Sequence, residues 1–217
     1  MDWPLLEALD ADDRRRFLSM ARRRRFARNE VVFHEGDPGN TVHLVEKGHF
    51  AVRITTPLGD VATLRIHGPG SWFGELAVLD PAPRSATIVA IDKGETLSLT
   101  DAAVAELRGE SRGFDAALMD ALVAEVRRLS GALVEALYVP VTTRVPRRVL
   151  ELCSTFGGAA EGSVTIPITQ EELAQLAGTT RPSANRVLRD LEDRGVLSVA
   201  RGRIEVHDLD GLARRAR

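Results

Sequence analysis

An acid, an arginine and a serine lie close together in one short stretch, Phe73-Gly74-Glu75-Leu76-Ala77 followed by Arg84-Ser85-Ala86-Thr87, which reads FGELAVLDPAPRSAT. Arginine presents a planar, permanently charged fork of donors that matches phosphate oxygens, and the Ser85 hydroxyl adds a neutral donor. A helical turn opening after Gly74 would leave backbone N–H groups free to attract an anion. Glu75 is unsuited to a phosphate but well suited to accept hydrogen bonds from a ribose hydroxyl. The set points to a cyclic phosphodiester carried on a ribose.

A second set lies near the C-terminus. Arg181, Asn185 and Arg189 are spaced i, i+4, i+8, so a helix would carry them on one face, with Arg186 adjacent. Arginine pairs bidentately with guanine and asparagine with adenine, so this face is a candidate reader of the DNA major groove. Over 141–217 there are twelve arginines against ten acidic residues, a net of +2, while the rest of the chain carries −4. The overall charge of −2 therefore hides a local basic surface.

Other chemistries find little support. Of the 29 basic residues only Lys47 and Lys93 are lysines. The single cysteine, Cys153, excludes an intrachain disulfide and any four-cysteine zinc or iron–sulfur site, and its apolar neighbours suggest a buried structural thiol. The five histidines, at 34, 43, 49, 67 and 207, form no ligand pattern, so neither a metal nor haem is expected. No nucleophile–base pair is apparent, so an enzyme built on Glu75 and Arg84 ranks far below a binding protein. No run approaches the ~18 apolar residues of a membrane span, and Met1-Asp2-Trp3-Pro4 does not open a signal peptide, so the expected location is the cytoplasm.

The elements that must position these residues follow from periodicity. Residues 3–27 read as helical, with the Arg22–Arg25 run at the solvated end of the helix. From Glu30 to about Leu99, short apolar runs alternate with turns rich in glycine and proline: Val31–Phe33, Val42–Val45, Phe50–Thr55, Val61–Ile66, Thr87–Ala90 and Leu97–Leu99. Many short strands imply an antiparallel sandwich or barrel, interrupted by the Gly74 stretch as a loop with a short helix. Between Phe114 and Leu137 a long helix is expected, with Leu118, Leu122, Val126, Leu129, Leu133 and Leu137 forming an apolar stripe suited to a second copy of the chain. Pro140 and Pro146 bracket a hinge; Arg147–Phe156 is then helical and closed by Gly157-Gly158. Thr169-Gln170-Glu171-Glu172 is a capping box opening a helix to Ala177, and a second helix runs from Arg181 to about Arg194, with Pro182 in its first turn. Helix, short turn and helix make a helix-turn-helix, and Val196–Val199 with Arg203–Val206, joined at Arg201-Gly202, make a two-stranded wing.

This order of parts, with FGELA…PRSAT and the turns at Gly36-Asp37 and Gly48, resembles the cyclic-AMP receptor protein/Fnr (Crp/Fnr) family of bacterial transcription regulators over nearly the whole chain. The resemblance implies an α+β fold: an N-terminal antiparallel β-roll that binds cyclic nucleotides (1–112), a long dimerisation helix and hinge (113–140), and a C-terminal winged helix-turn-helix (141–217). It implies a cytoplasmic homodimer that binds a palindromic site in double-stranded DNA, works with RNA polymerase and is controlled by a cyclic nucleotide. Cyclic AMP is the expected ligand and cyclic GMP the other candidate. Glu75 would hold the ribose; Arg84, Ser85 and the backbone from Gly74 to Leu76 the phosphate; and Leu64 a wall for sugar and base. Phe73, Ala77 and Ala86 complete the cassette. The family's adenine-reading Thr-Ser pair falls on Leu129 and Ser130, so the serine is kept and the threonine is not. On the DNA side the resemblance adds Thr169, Thr180, Ser183 and Arg201 to Arg181, Asn185, Arg186 and Arg189, with Pro182 standing where the family has a glutamate. A regulator of the same fold that answers to another effector, or to none, is the alternative.

Overall fold

A computed structural model describes residues 3–7, 9–80, 82–157 and 163–217, without the side chains of Pro4 and Leu5. Met1, Asp2, Pro81 and Gly158, all part of the sequence reading, lie outside these residues, as does the Leu5 side chain. The chain divides into two units: Met1–Val61 with Arg65–Leu129, and Ser130–Arg217 with Ala62–Leu64.

The first unit opens with α1 (Pro4–Glu7) and α2 (Ala11–Met20), the latter capped by Asp10, whose carboxylate accepts from the N–H groups of Asp12 and Asp13. The helix expected to run on to residue 27 stops here. Ala21 is extended, and Arg22–Phe26 form strand β1, antiparallel to β8 (Gly94–Thr100). Four identical residues carry no period, so pairing with β8 decides their conformation. Their side chains remain exposed, as expected for a solvated run, while Phe26 turns inward. Then follow β2 (Val31–Phe33), β3 (Thr41–Lys47), β4 (Phe50–Thr55), β5 (Val61–His67), β6 (Trp72–Phe73), α3 (Leu76–Leu79), β7 (Thr87–Ala90), β8 (Gly94–Thr100) and α4 (Asp101–Glu110). The strands form two four-stranded sheets, in the orders β1-β8-β3-β6 and β2-β7-β4-β5. Phe26, Val45, Phe50, Phe73, Ile88 and Ala90 form one apolar core in this roll. Alternation along β3 sends Val42 and Leu44 to a second core, shared with Phe17 of α2, Leu107 of α4 and Phe114.

The long helix α5 runs from Arg112 to Tyr138. Leu118, read as part of an outward stripe, is instead buried with Phe114 in this second core. The large apolar residues left exposed along α5 are Met119, Val123, Val126, Leu129, Leu133, Val134, Leu137 and Tyr138.

The second unit contains α6 (Val141–Phe156), β9 (Val164–Ile166), α7 (Gln170–Leu176), α8 (Arg181–Asp193), β10 (Leu197–Ala200), β11 (Arg203–Val206) and α9 (Leu209–Arg215). The helix expected from Arg147 starts six residues earlier, so Pro146 lies inside α6 rather than at the edge of a hinge. An interior proline costs roughly 3 kcal/mol through its lost hydrogen bond and its clash with the preceding turn. Here the proline lies on the buried side of the helix, which also carries Val145, Val149, Leu152 and Cys153, and burial of its ring works against that cost. Cys153 is buried in the same helix, and burial pushes its thiol up to about 11. The wing has a third strand, β9, antiparallel to β11.

Candidate functional site

Strand β6 ends in the buried Phe73, and the chain turns through Gly74 at φ +87. A Cβ at this position would sit 2.8 Å from Arg84 Nη1 and 2.9 Å from the Thr41 carbonyl oxygen, so only glycine suits both the backbone and the crowding. Glu75 and α3 follow, and the first N–H groups of α3 lack intrahelical acceptors. The returning chain is tied to the loop after β2: Arg84 N–H donates to the Asp37 carbonyl at 2.9 Å, and Gly36 N–H donates to the Arg84 carbonyl at 2.9 Å.

Arg84 is only 4% exposed. Its Nη1 donates to the Gly74 carbonyl at 2.9 Å and its Nη2 to Thr41 Oγ1 at 2.9 Å, and the guanidinium lies 3.9 Å from the centre of the Phe33 ring. Among the described residues its Nε is buried with no partner. Burial lowers the guanidinium's affinity for its proton, opposed by the charges of Glu75 and Asp37. The hydrogen bonds of this buried cation go to neutral oxygens, one donor is to spare, and among the described residues no carboxylate pairs with it directly, so its desolvation is only partly compensated.

Glu75 precedes α3 without capping it. Glu75 is half-buried beside an apolar cavity lined also by Phe17, Leu44, Trp72, Val78 and Phe114, and desolvation raises its carboxyl above the ordinary carboxylate range. Ala77 and Ala86 are buried, whereas Leu76 and Ser85 are exposed. Leu129 is exposed on α5; Leu64 and Ser130, which group with the second unit, are exposed as well. Within the first unit the fold thus brings Gly74, Glu75 and Arg84 together.

Four contributors escaped the sequence reading. Thr41 and Phe33 hold the arginine, and Gly39 packs so closely on α3 that a Cβ there would lie 2.0 Å from that of Ala77. His43, below Thr41, is the fourth. The available signal was Gly39-Asn40-Thr41, small and polar residues directly before an apolar strand. Nearby, Glu125 of α5 bridges Arg65 at 2.6 Å and Arg128 at 2.7 Å; hydrogen bonding to Arg128, followed by the pull of Arg65, holds its carboxyl at about 2.

In the second unit Thr169 caps α7 through the expected box: its hydroxyl accepts from Glu172 N–H at 3.1 Å, and the Glu172 carboxylate accepts from Thr169 N–H at 2.8 Å. Thr180 caps α8, with its hydroxyl 3.0 Å from that of Ser183 and Pro182 in the first turn. These hydroxyls are occupied in forming the helix starts. Ala184, Val187, Leu188 and Leu191 bury one face of α8; Arg181, Pro182, Arg186 and Arg189 are exposed. Asn185 is half-buried, its Oδ1 without a partner. Arg201 is exposed at the wing tip. Arg194 and Arg215 are paired with Asp190, and Arg203 with Glu205. Among the described residues no acid pairs with Arg181, Arg186, Arg189 or Arg201, which leaves those four charges available to phosphates and base edges.

Residues 23–111 match the cyclic nucleotide-binding domain family, and residues 143–215 match the Crp-like helix-turn-helix domain. The CRP-like cAMP-activated global transcriptional regulator of Mycobacterium tuberculosis is 32% identical over 88% of this chain and 87% of its own. The cyclic AMP receptor protein of Thermus thermophilus is 31% identical over 94% of this chain and 93% of its own. Among solved structures, the catabolite activator protein of T. thermophilus aligns over 98% of both chains at 30% identity, with a TM-score of 0.57. FixK2 of Bradyrhizobium japonicum has the same fold, with a TM-score of 0.77 at 18% identity over 91% of this chain and 98% of its own.

Proposed function

Because this chain belongs to the Crp/Fnr family of transcription regulators, with a cyclic nucleotide-binding domain and a Crp-like helix-turn-helix, we propose that it is a homodimeric DNA-binding regulator controlled by cyclic AMP. The observation that carries the ligand reading is Arg84: a buried guanidinium whose Nε has no partner among the described residues, beside a glycine turn and the half-buried Glu75. Arg84, the Ser85 hydroxyl and the backbone of residues 74–76 bind the cyclic phosphate, and Glu75 accepts from the ribose. Leu64, Leu129 and Ser130 attend to sugar and base. The relatives in M. tuberculosis and T. thermophilus, a cAMP-activated regulator and a cyclic AMP receptor protein, favour the cyclic AMP assignment.

The partner across α5 is a second copy of this chain. Met119, Val123, Val126, Leu133 and Leu137, all exposed, follow a 4-3-7-4 spacing, and Ser130 occupies the remaining place in that heptad register. Such a seam suits a two-stranded coiled coil. In the dimer, Arg181, Asn185, Arg186 and Arg189 of each copy face successive major grooves of a palindromic site, about 34 Å apart. Ligand favours this arrangement only as far as it binds the DNA-competent state more tightly. Pro182 cannot accept from a cytosine N4, so discrimination at one base pair of each half-site is lost. The DNA-bound dimer acts on RNA polymerase in the cytoplasm.

Leu129 favours a second reading, since it offers no hydroxyl to a purine: the same regulator answering to another effector. Calorimetry with cyclic AMP and cyclic GMP separates the two. The expected result is saturable binding of cyclic AMP that Arg84→Leu abolishes while sedimentation still reports a dimer. Absence of heat with both nucleotides would leave the second reading, and a monomer would remove the seam.

A further inference from the structure

Behind the phosphate arginine, a chain of buried polar groups runs into the roll. Thr41 and His43 are two apart on β3 and share a face with Val45, which belongs to the core of Phe26, Phe50 and Phe73. His43 is 3% exposed. Its ring stacks on Phe73 at 5.2 Å and 9°. One ring nitrogen, Nδ1, lies 3.0 Å from Oγ1 of Thr96 on β8, a residue with no exposure. The other, Nε2, lies 3.3 Å from Thr41 Oγ1, the same oxygen that accepts from Arg84 Nη2 at 2.9 Å.

The direction of these bonds follows from what each group can do. A guanidinium only donates, so Thr41 Oγ1 accepts from Arg84 and is left with its own proton to give. His43 Nε2 is the acceptor within reach. The imidazole proton then sits on Nδ1 and is donated to Thr96. The chain reads Arg84 to Thr41 to His43 to Thr96 and requires a neutral imidazole in one tautomer. Burial, followed by the charges of Arg84 and Arg24, pushes the imidazole down to about 3, which agrees with that requirement. His43 also acts on the arginine from a second side, because it stacks on Phe73, and the next residue, Gly74, supplies the carbonyl that accepts from Arg84 Nη1.

We propose that His43 is a positioning residue for nucleotide binding, fixing the Arg84 guanidinium through the Thr41 hydroxyl and the Phe73–Gly74 turn. The proposal rests on the reading of Arg84 as the phosphate ligand. A phenylalanine would fill the same space among Phe26, Phe33 and Phe73 with no polar atom to satisfy. A polar ring here carries a desolvation cost that only its hydrogen bonds offset, and those bonds set the orientation of a charged donor.

The test uses the full-length chain with His43→Phe, which keeps the ring and its stacking, Thr41→Val, which removes the hydroxyl at constant shape, and Thr41→Ser, which keeps it. By calorimetry with cyclic AMP, Thr41→Val should weaken binding roughly tenfold, the size of one lost hydrogen bond to a charged group, and His43→Phe, which frees the hydroxyl that orients Arg84, should weaken it about threefold to tenfold. Thr41→Ser should stay close to the parent, and the double variant should be no weaker than Thr41→Val alone. Nitrogen NMR should find His43 protonated on Nδ1 and bare on Nε2 at pH 7, with the Nε2 signal moving in Thr41→Val. Relaxation of the Arg84 Nε–H signal should show a rigid guanidinium in the parent and a mobile one in His43→Phe. Parental affinity in His43→Phe, additive losses in the double variant or a proton on Nε2 would each overturn the proposal. Failure of the parent itself to bind any cyclic nucleotide would instead remove the phosphate reading, and the two NMR measurements would then decide the positioning role alone. If His43→Phe fails to fold, the imidazole tautomer in the parent and the response of its Nε2 signal to Thr41→Val carry the decision.

Discussion

Gly39→Ala places one methyl group where the structure leaves no room. The new Cβ would lie 2.0 Å from Ala77 Cβ, 3.3 Å from Ala77 Cα and 3.4 Å from Arg84 Cδ. Carbon atoms settle at about 3.5–4 Å, so the gap must open by roughly 1.5 Å. The Ala77 methyl cannot rotate aside, because it is fixed to the backbone of α3. Either α3 moves or the loop before β3 does, and overpacking of this kind costs about 1–3 kcal/mol. Since α3 is a four-residue turn, its displacement is the softer response, and the damage should fall on the cassette more than on the fold. A shift of about 1 Å in a binding group costs up to about a hundredfold, so cyclic AMP affinity should fall about 10- to 100-fold in calorimetry. The urea midpoint should fall by about 0.5 M, the low end of that cost. Adding Ala77→Gly removes the opposing methyl and leaves the tolerable 3.3 Å contact, so the double variant should recover most of the lost affinity. Parental affinity in Gly39→Ala, or a double variant as weak as the single one, would show that the packing of this loop on α3 does not govern the site.

Two further outcomes are expected. Arg181→Ala should weaken binding to a specific half-site by about 1–3 kcal/mol in fluorescence anisotropy and spare random DNA; equal losses on both would mark Arg181 as a phosphate contact. Buried His43 and His67 are both pushed from 6.5 down to about 3, chiefly by burial, so between those pH values the unfolded chain binds more protons than the folded one. Their contribution is complete above pH 6.5 and is lost as the pH falls towards 3, reaching about 2 kcal/mol per histidine at pH 5. Glu75, raised by burial, works in the opposite sense over the upper part of this range. A lower urea midpoint at pH 5 than at pH 7, with part of the difference removed by His43→Phe, is the expected result; equal midpoints would mean that the imidazoles are not buried as neutral groups.

Features that depend on local rules were legible in the sequence. The capping box at Thr169, Pro182 in the first turn of α8 and the turns between strands follow from neighbours a few residues apart, and the structure contains them. Features decided across the fold were not legible. Nothing in Arg22–Arg25 distinguishes helix from strand until β8 lies beside it. Leu118 and Leu122 are equally apolar, yet the first faces the chain's own core because Phe17 and Leu107 meet it there. Pro146 reads as a break until packing around it is known. In the site, Glu75 and Arg84 announce themselves by charge, whereas Thr41 and His43 act through distances across strands, which no local pattern encodes.

The arginine strand also bears on how this protein behaves in a crowded solution. β1 is the outermost strand of its sheet, and an outer strand offers unpaired N–H and C=O groups to any similar edge. Glu46 and Glu95 draw Arg23 and Arg25 across the sheet, while Arg22 and Arg24 keep their charge in solvent. Two such edges meeting would bring like charges together at the spacing of a β-ladder. Charge on an outer strand is one of the features that disfavour pairing of sheet edges, so the run whose conformation has no local signature has a physical consequence through its position.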